Sequence, residues 1–131
     1  CGEGEAPLRW DDTGKPAVDA DGVYVSVSHS GPYAVCAVAD VPVGVDVEVV
    51  RSADEKFMRR VCSEAEMAYI RVGDDGDCAR FWEIWTAKES LFKLTGKGPL
   101  LTLSQLALPE GVVLDHIREK GCALTTALRL R

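Results

Sequence analysis

The run Gly44-Val-Asp46-Val-Glu48-Val-Val50 constrains this chain more than any other stretch. Strict alternation of valine with acidic residues marks a β-strand, so Asp46 and Glu48 project from one face and Val45, Val47 and Val49 from the other. Along that face the two carboxylates stand ~6.6 Å apart. Two uses are open for them. They can line the solvent side of an antiparallel strand, where acids cost little, or converge on a hard cation that takes oxygen ligands.

A second stretch, Trp85-Thr-Ala-Lys88-Glu89-Ser-Leu-Phe-Lys93-Leu-Thr-Gly96-Lys-Gly98, reads as a helix broken by glycine. At ~100° per residue, Trp85, Glu89 and Lys93 fall within about 80° of one another on one flank. Phe81, Ile84, Trp85, Leu91 and Phe92 cover the neighbouring arc and can anchor the helix in a core. Glu89 and Lys93 fit an ordinary i,i+4 ion pair, or an acid and a base set beside a phosphate. Glu89 with Asp46 and Glu48 makes three carboxylates, and Mg²⁺ takes a few such ligands together with waters and substrate phosphates.

Strands are expected at about 23–29, 33–39 and 43–50, with turns at Gly31-Pro32 and from Asp40 to Pro42. Ser52-x-x-Glu55 and Ser63-x-x-Glu66 read as capping boxes that open helices at about 53–61 and 64–71. The acidic loop from Gly73 to Asp77 lacks the spacing of a calcium-binding EF-hand. The glycine-ended helix is expected at about 78–95, and strands near 103–108 and 122–130 complete an α+β fold, mostly antiparallel sheet packed against helices.

At 131 residues and 47% hydrophobic content, the chain is expected to form one domain over residues 1–131 with a true core. No apolar run approaches the ~20 residues of a membrane span, and the N-terminus has no signal-peptide pattern, so no membrane partner is expected. Cys1, Cys36, Cys62, Cys78 and Cys122 are odd in number and scattered, which points to reduced thiols in the cytoplasm, with Cys36 in the core. The net charge of −6 argues against nucleic acid as a partner. Arg51, Lys56, Arg59 and Arg60 form a local basic cluster, either a solvated helix face or a patch for an acidic partner.

Three segments in order, Val25-Ser-Val-Ser28-His29-Ser30-Gly31, Gly44-Val-Asp46-Val-Glu48 and Trp85-Thr-Ala-Lys88-Glu89-Ser-Leu-Phe-Lys93, resemble the signature of the 4′-phosphopantetheinyl transferases. The match is to the surfactin-synthetase-activating subfamily. Gly14-Lys15-Pro16 and Cys62-Ser63-Glu64-Ala65-Glu66 resemble two further, weaker motifs of it.

The resemblance implies Mg²⁺-dependent transfer of the phosphopantetheine arm of coenzyme A, the co-substrate, to a serine of an apo acyl or peptidyl carrier protein, with release of 3′,5′-ADP. Carried over by position, Asp46, Glu48 and Glu89 match the metal-binding carboxylates, and Glu89 also matches the acceptor of the serine proton. Lys15, Ser28, His29, Lys88 and Lys93 match residues that hold the coenzyme's phosphates, and Lys93 also matches a group that offsets charge during transfer.

Full-length relatives are pseudodimers of two similar halves. This chain is expected to supply only the C-terminal type of half and to need a second one, from a homodimer or from another chain. A domain that binds carrier protein or coenzyme A without turnover, and a Mg²⁺-dependent phosphohydrolase, remain open beside the transferase.

Overall fold

Valines alternating with serines or acids build the sheets, and one long aromatic-rich helix crosses them. The computed structural model describes residues 8–10, 16–18, 20–73, 78–96, 105–119 and 121–131. Strands β1 (Leu8–Trp10) and β2 (Pro16–Val18) form a small antiparallel pair. Strands β3 (Tyr24–Ser30) and β4 (Tyr33–Ala39) form a hairpin, closed by a turn in which Gly31 takes φ 54°. After β5 (Val43–Val49) come helices α1 (Glu55–Val61), α2 (Glu64–Val72) and α3 (Ala79–Thr95), then the hairpin of β6 (Val112–Glu119) and β7 (Cys122–Arg129). In the three-stranded antiparallel sheet β7 lies between β5 and β6. The α+β architecture agrees with the reading from sequence.

Helix α3 lies on β5 and β7, and α1 and α2 close over its far side. Met58, Val61, Cys62, Met67 and Ile70 pack with Phe81, Trp82, Ile84 and Ala123. Phe81 and Trp82 meet edge to face with centroids 4.8 Å apart, a geometry worth about 0.5–1.5 kcal/mol beyond the area buried. The helix stops where glycine permits it: Gly96 sits at φ 64° and its N–H donates to the Phe92 carbonyl at 2.7 Å.

Gly44 sets how closely α3 approaches β5. A Cβ at that position would collide with the Ser90 carbonyl oxygen and the Leu94 amide. Only a residue without a side chain lets the helix lie so near the strand.

Three local expectations are corrected, and one of the two uses left open for β5 is removed. The box at Ser52 does not form; α1 starts at Glu55, so Asp54 is the residue placed to cap it, accepting from the Lys56 amide at 2.8 Å. The Ser63–Glu66 box does form. Residues 105–108 of the strand expected near 103–108 are not strand, and 103–104 lie outside the described residues; the partner of β7 is β6, from Val112. Cys36 is exposed rather than core, because β4 alternates and turns Ala34, Cys36 and Val38 outward. Finally, β5 has no solvent face: Asp46 is only 5% exposed, as hidden as Val45 behind it.

Candidate active site

The edge of β5 that is not paired with β7 runs beside β3, yet β3 belongs to another sheet and no backbone ladder joins them. Serine side chains do the joining. Alternation puts Ser26, Ser28 and Ser30 on one face of β3, and their hydroxyls accept from the amides of Val45, Val47 and Val49 at 3.0, 3.2 and 3.0 Å. Buried amides need such partners, so the hydroxyls replace the missing ladder.

Two of these hydroxyls also donate. Ser28 Oγ donates to Asp46 Oδ1 and Ser30 Oγ to Glu48 Oε2, both at 3.0 Å. From α3, Lys93 Nζ donates to the Val27 carbonyl at 3.2 Å, the Val45 carbonyl at 3.0 Å and Asp46 Oδ1 at 3.2 Å. One ammonium thus pins β3, β5 and the acid together. Trp85 Nε1 donates to Glu48 Oε1 at 3.2 Å, and Arg51 reaches Glu48 Oε2 at 3.4 Å.

Acid dominates this ground. Asp46 Oδ2 is buried, and among the described residues it has no hydrogen-bond partner. Burial pushes the Asp46 carboxyl from 3.8 up to about 6, with Glu48 adding to the rise and Lys93 and Ser28 opposing it. Half-buried Glu89 is pushed to about 7, first by burial and then by the charge of Asp46, with Lys93 opposing. An orphaned carboxylate oxygen beside two further acids is chemically suited to Mg²⁺, which takes hard oxygen ligands. Among the described residues, however, no three of these side chains already converge as a metal cluster. Glu48 has spent three acceptor positions on Ser30, Trp85 and Arg51, leaving about one of roughly four.

Asp46, Glu48, Glu89 and Lys93 are therefore brought together, with Ser28 against Asp46. Lys88 goes elsewhere. Its buried ammonium donates to the Val61 carbonyl and to Glu66 Oε1, the latter at 2.8 Å. Five residues along a helix amount to about 140° of rotation, so Lys88 and Lys93 leave α3 on different sides. His29 is exposed on the face of β3 opposite the three serines. Lys15 lies outside the described residues. Sequence reasoning overlooked Ser26 and Ser30, although the Ser-x-Ser-x-Ser period at 26, 28 and 30 copies the period of Gly44, Asp46 and Glu48.

Fold and site together define an α+β domain built around a carboxylate-rich centre with one lysine at its heart. A family model described as the 4′-phosphopantetheinyl transferase superfamily matches residues 42–117, which contain all of that centre except the β3 serines. Named 4′-phosphopantetheinyl transferases align as well. One from Aneurinibacillus migulanus is 34% identical over 98 residues, covering 74% of this chain and 41% of the relative. One from Bacillus subtilis is 31% identical over 97 residues (72% and 43%), and one from Salmonella typhimurium is 34% identical over 94 (68% and 49%). The chain belongs to the 4′-phosphopantetheinyl transferase superfamily. It spans less than half the length of these relatives.

Proposed function

We propose that this domain carries the Mg²⁺-dependent centre for transferring the 4′-phosphopantetheine arm of coenzyme A to a serine hydroxyl of an apo acyl or peptidyl carrier protein. The observation that carries the reading is the buried Asp46 Oδ2, without a hydrogen-bond partner among the described residues, on a carboxylate that pairs with Lys93 through its other oxygen and that, after burial, helps push the Glu89 carboxyl to about 7. Asp46 and Glu89, with the remaining capacity of Glu48, would hold Mg²⁺, which when bound offsets pyrophosphate charge. Glu89 is poised to take a proton from the attacking serine near neutral pH. Lys93, already aimed into the centre, opposes negative charge building on the leaving 3′,5′-ADP oxygen. Exposed His29, on the outer face of β3, is available to an incoming coenzyme phosphate.

Exposed Lys56 and Arg60 on α1, close in sequence to Arg51 beside Glu48, suit docking of an acidic carrier protein. The outward row of Ala34, Cys36 and Val38 on β4, with Val38 66% exposed, offers an apolar face to a second copy of the domain. That fits relatives of which the match to this chain covers only 41% and 43%. The proposed setting is cytoplasmic, where coenzyme A and carrier proteins meet.

The test is a mass spectrum of an apo carrier protein after incubation with the domain, coenzyme A and Mg²⁺. A gain of one phosphopantetheine, lost when the metal is chelated, is expected. Coenzyme A binding without any gain would favour the non-catalytic binding domain, and release of inorganic phosphate from coenzyme A would favour a phosphohydrolase. Light scattering that finds only monomer would remove the second copy.

A further inference from the structure

We propose that Ser30 and Ser28 are positioning residues that aim Glu48 and Asp46 at the metal, and that Ser26, though part of the same seam, is not. The proposal rests on reading Asp46 and Glu48 as metal ligands. It gives the two serines a task distinct from touching coenzyme phosphate.

The seam repeats every two residues. Each serine accepts from one β5 amide and stands 18 residues ahead of the position before that amide: 28 meets 46, 30 meets 48. A hydroxyl has a single proton, and accepting from the backbone N–H leaves that proton to turn toward the neighbouring carboxylate. Strand geometry thereby fixes the direction of donation. Glu48 would otherwise be free to swing through its side-chain torsions; Ser30 on Oε2 and Trp85 on Oε1 hold both ends of its carboxylate. Ser28 does the same for Asp46 from one side, and Oδ2, which has no partner among the described residues, is left as the one to bind.

At the third repeat the carboxylate is missing. Ser26 accepts from Val45 in the same way, but position 44 is the glycine that admits α3. Ser26 is therefore a natural control, with the same contribution to joining the strands and no ligand to orient. Groups that orient metal ligands typically contribute about 10–100-fold to affinity.

The experiment titrates Mn²⁺ alone, by calorimetry and by the electron-spin signal of the free ion, into the wild-type chain and into Ser30→Ala, Ser30→Thr and Ser26→Ala, with melting temperatures recorded for each. Ser30→Ala is expected to weaken Mn²⁺ binding about 10–100-fold. Ser30→Thr, which keeps the hydroxyl, restores it. Ser26→Ala lowers the melting temperature as Ser30→Ala does, yet leaves the affinity unchanged. Equal weakening by Ser26→Ala and Ser30→Ala, no weakening by Ser30→Ala, or no uptake of Mn²⁺ by the wild type would each overturn the proposal. Should either alanine variant fail to fold, the threonine variant decides: loss of affinity in a folded Ser30→Thr also overturns it, and retained affinity supports it. Mn²⁺ binding with this serine pattern but no transfer to a carrier would sink the proposed function and leave the inference standing. Transfer by a Ser30→Ala variant of unchanged Mn²⁺ affinity would do the reverse.

Discussion

Helix α3 carries two lysines, and each makes an ion pair with a hidden carboxylate: Lys88 with Glu66 at 2.8 Å and Lys93 with Asp46 at 3.2 Å. The surroundings divide them. Glu66 accepts from the Ser63 amide and Lys88 on one oxygen and from the Leu106 amide on the other. Burial alone would raise its pKa, but those hydrogen bonds outweigh it and hold the carboxyl below its ordinary value. Asp46 has one oxygen without a partner among the described residues and a carboxyl pushed up to about 6. Two lysines of one helix thus meet a closed structural clamp in one place and an unsatisfied carboxylate in the other. Completeness of the hydrogen bonding, rather than burial, separates them.

The largest effect should come from breaking the closed pair. Glu66→Ala strands the Lys88 ammonium in the core and is expected to lower stability by about 3–5 kcal/mol in urea unfolding. Asp46→Ala, by contrast, is expected to abolish transfer while barely moving the melting temperature, because it also relieves repulsion with Glu48 and Glu89. If both variants melt equally early, the contrast collapses.

Next in size, Lys93→Ala should lower kcat on the order of 10²–10³-fold with little change in the KM for coenzyme A. Equal losses in both would mean that Lys93 contributes uniform ground-state binding. Because its ammonium also ties β3 to β5, the rates are best compared well below the variant's melting temperature.

A smaller signal lies in pH. The folded pKa of Asp46 is raised from 3.8 to about 6 and that of Glu89 from 4.5 to about 7, so between roughly pH 4 and 7 the folded chain holds more protons than the unfolded one. Their contribution to stability is therefore full at low pH and lost as pH rises through 6 and 7. Asp46→Asn removes one of these protons from the balance, so its melting temperature should gain on wild type from pH 4 to pH 8. A constant difference across that range would refute the raised pKa.

The smallest prediction tests a cap that sequence reading misplaced. Asp54→Ala should cost about 1 kcal/mol and Ser52→Ala less than about half of that in urea unfolding. The reverse order would restore the box first read at Ser52.

These elements also mark what the sequence made legible. Strands β3, β4 and β5, the span of α3, its glycine end and the Ser63–Glu66 box follow from local periods and caps that the chain carries in plain view. β6 did not, since Val112-Val-Leu-Asp-His-Ile-Arg-Glu119 is apolar on both faces at its start and polar on both at its middle, which erases the two-residue period. The grouping of Asp46, Glu48, Glu89 and Lys93 was within reach, because strand and helix periods each sort their residues onto one face. The destination of Lys88 was not, because it depends on Glu66, a residue 22 positions away that looks like an ordinary helix cap. Nor could local pattern reveal that serines stitch β3 to β5, which is a property of two strands meeting rather than of either one.

Gly44 carries one more consequence. With the Ser90 carbonyl against its α-carbon, the clearance between strand and helix is set by a hydrogen atom. Asp46 rides on that strand, and Glu89 and Lys93 ride on that helix. The tolerance of the whole centre is thus written two residues away from its nearest acid, at a position that bears no chemistry of its own. Any lineage that acquired a methyl group there would keep every polar side chain of the site and still lose their alignment.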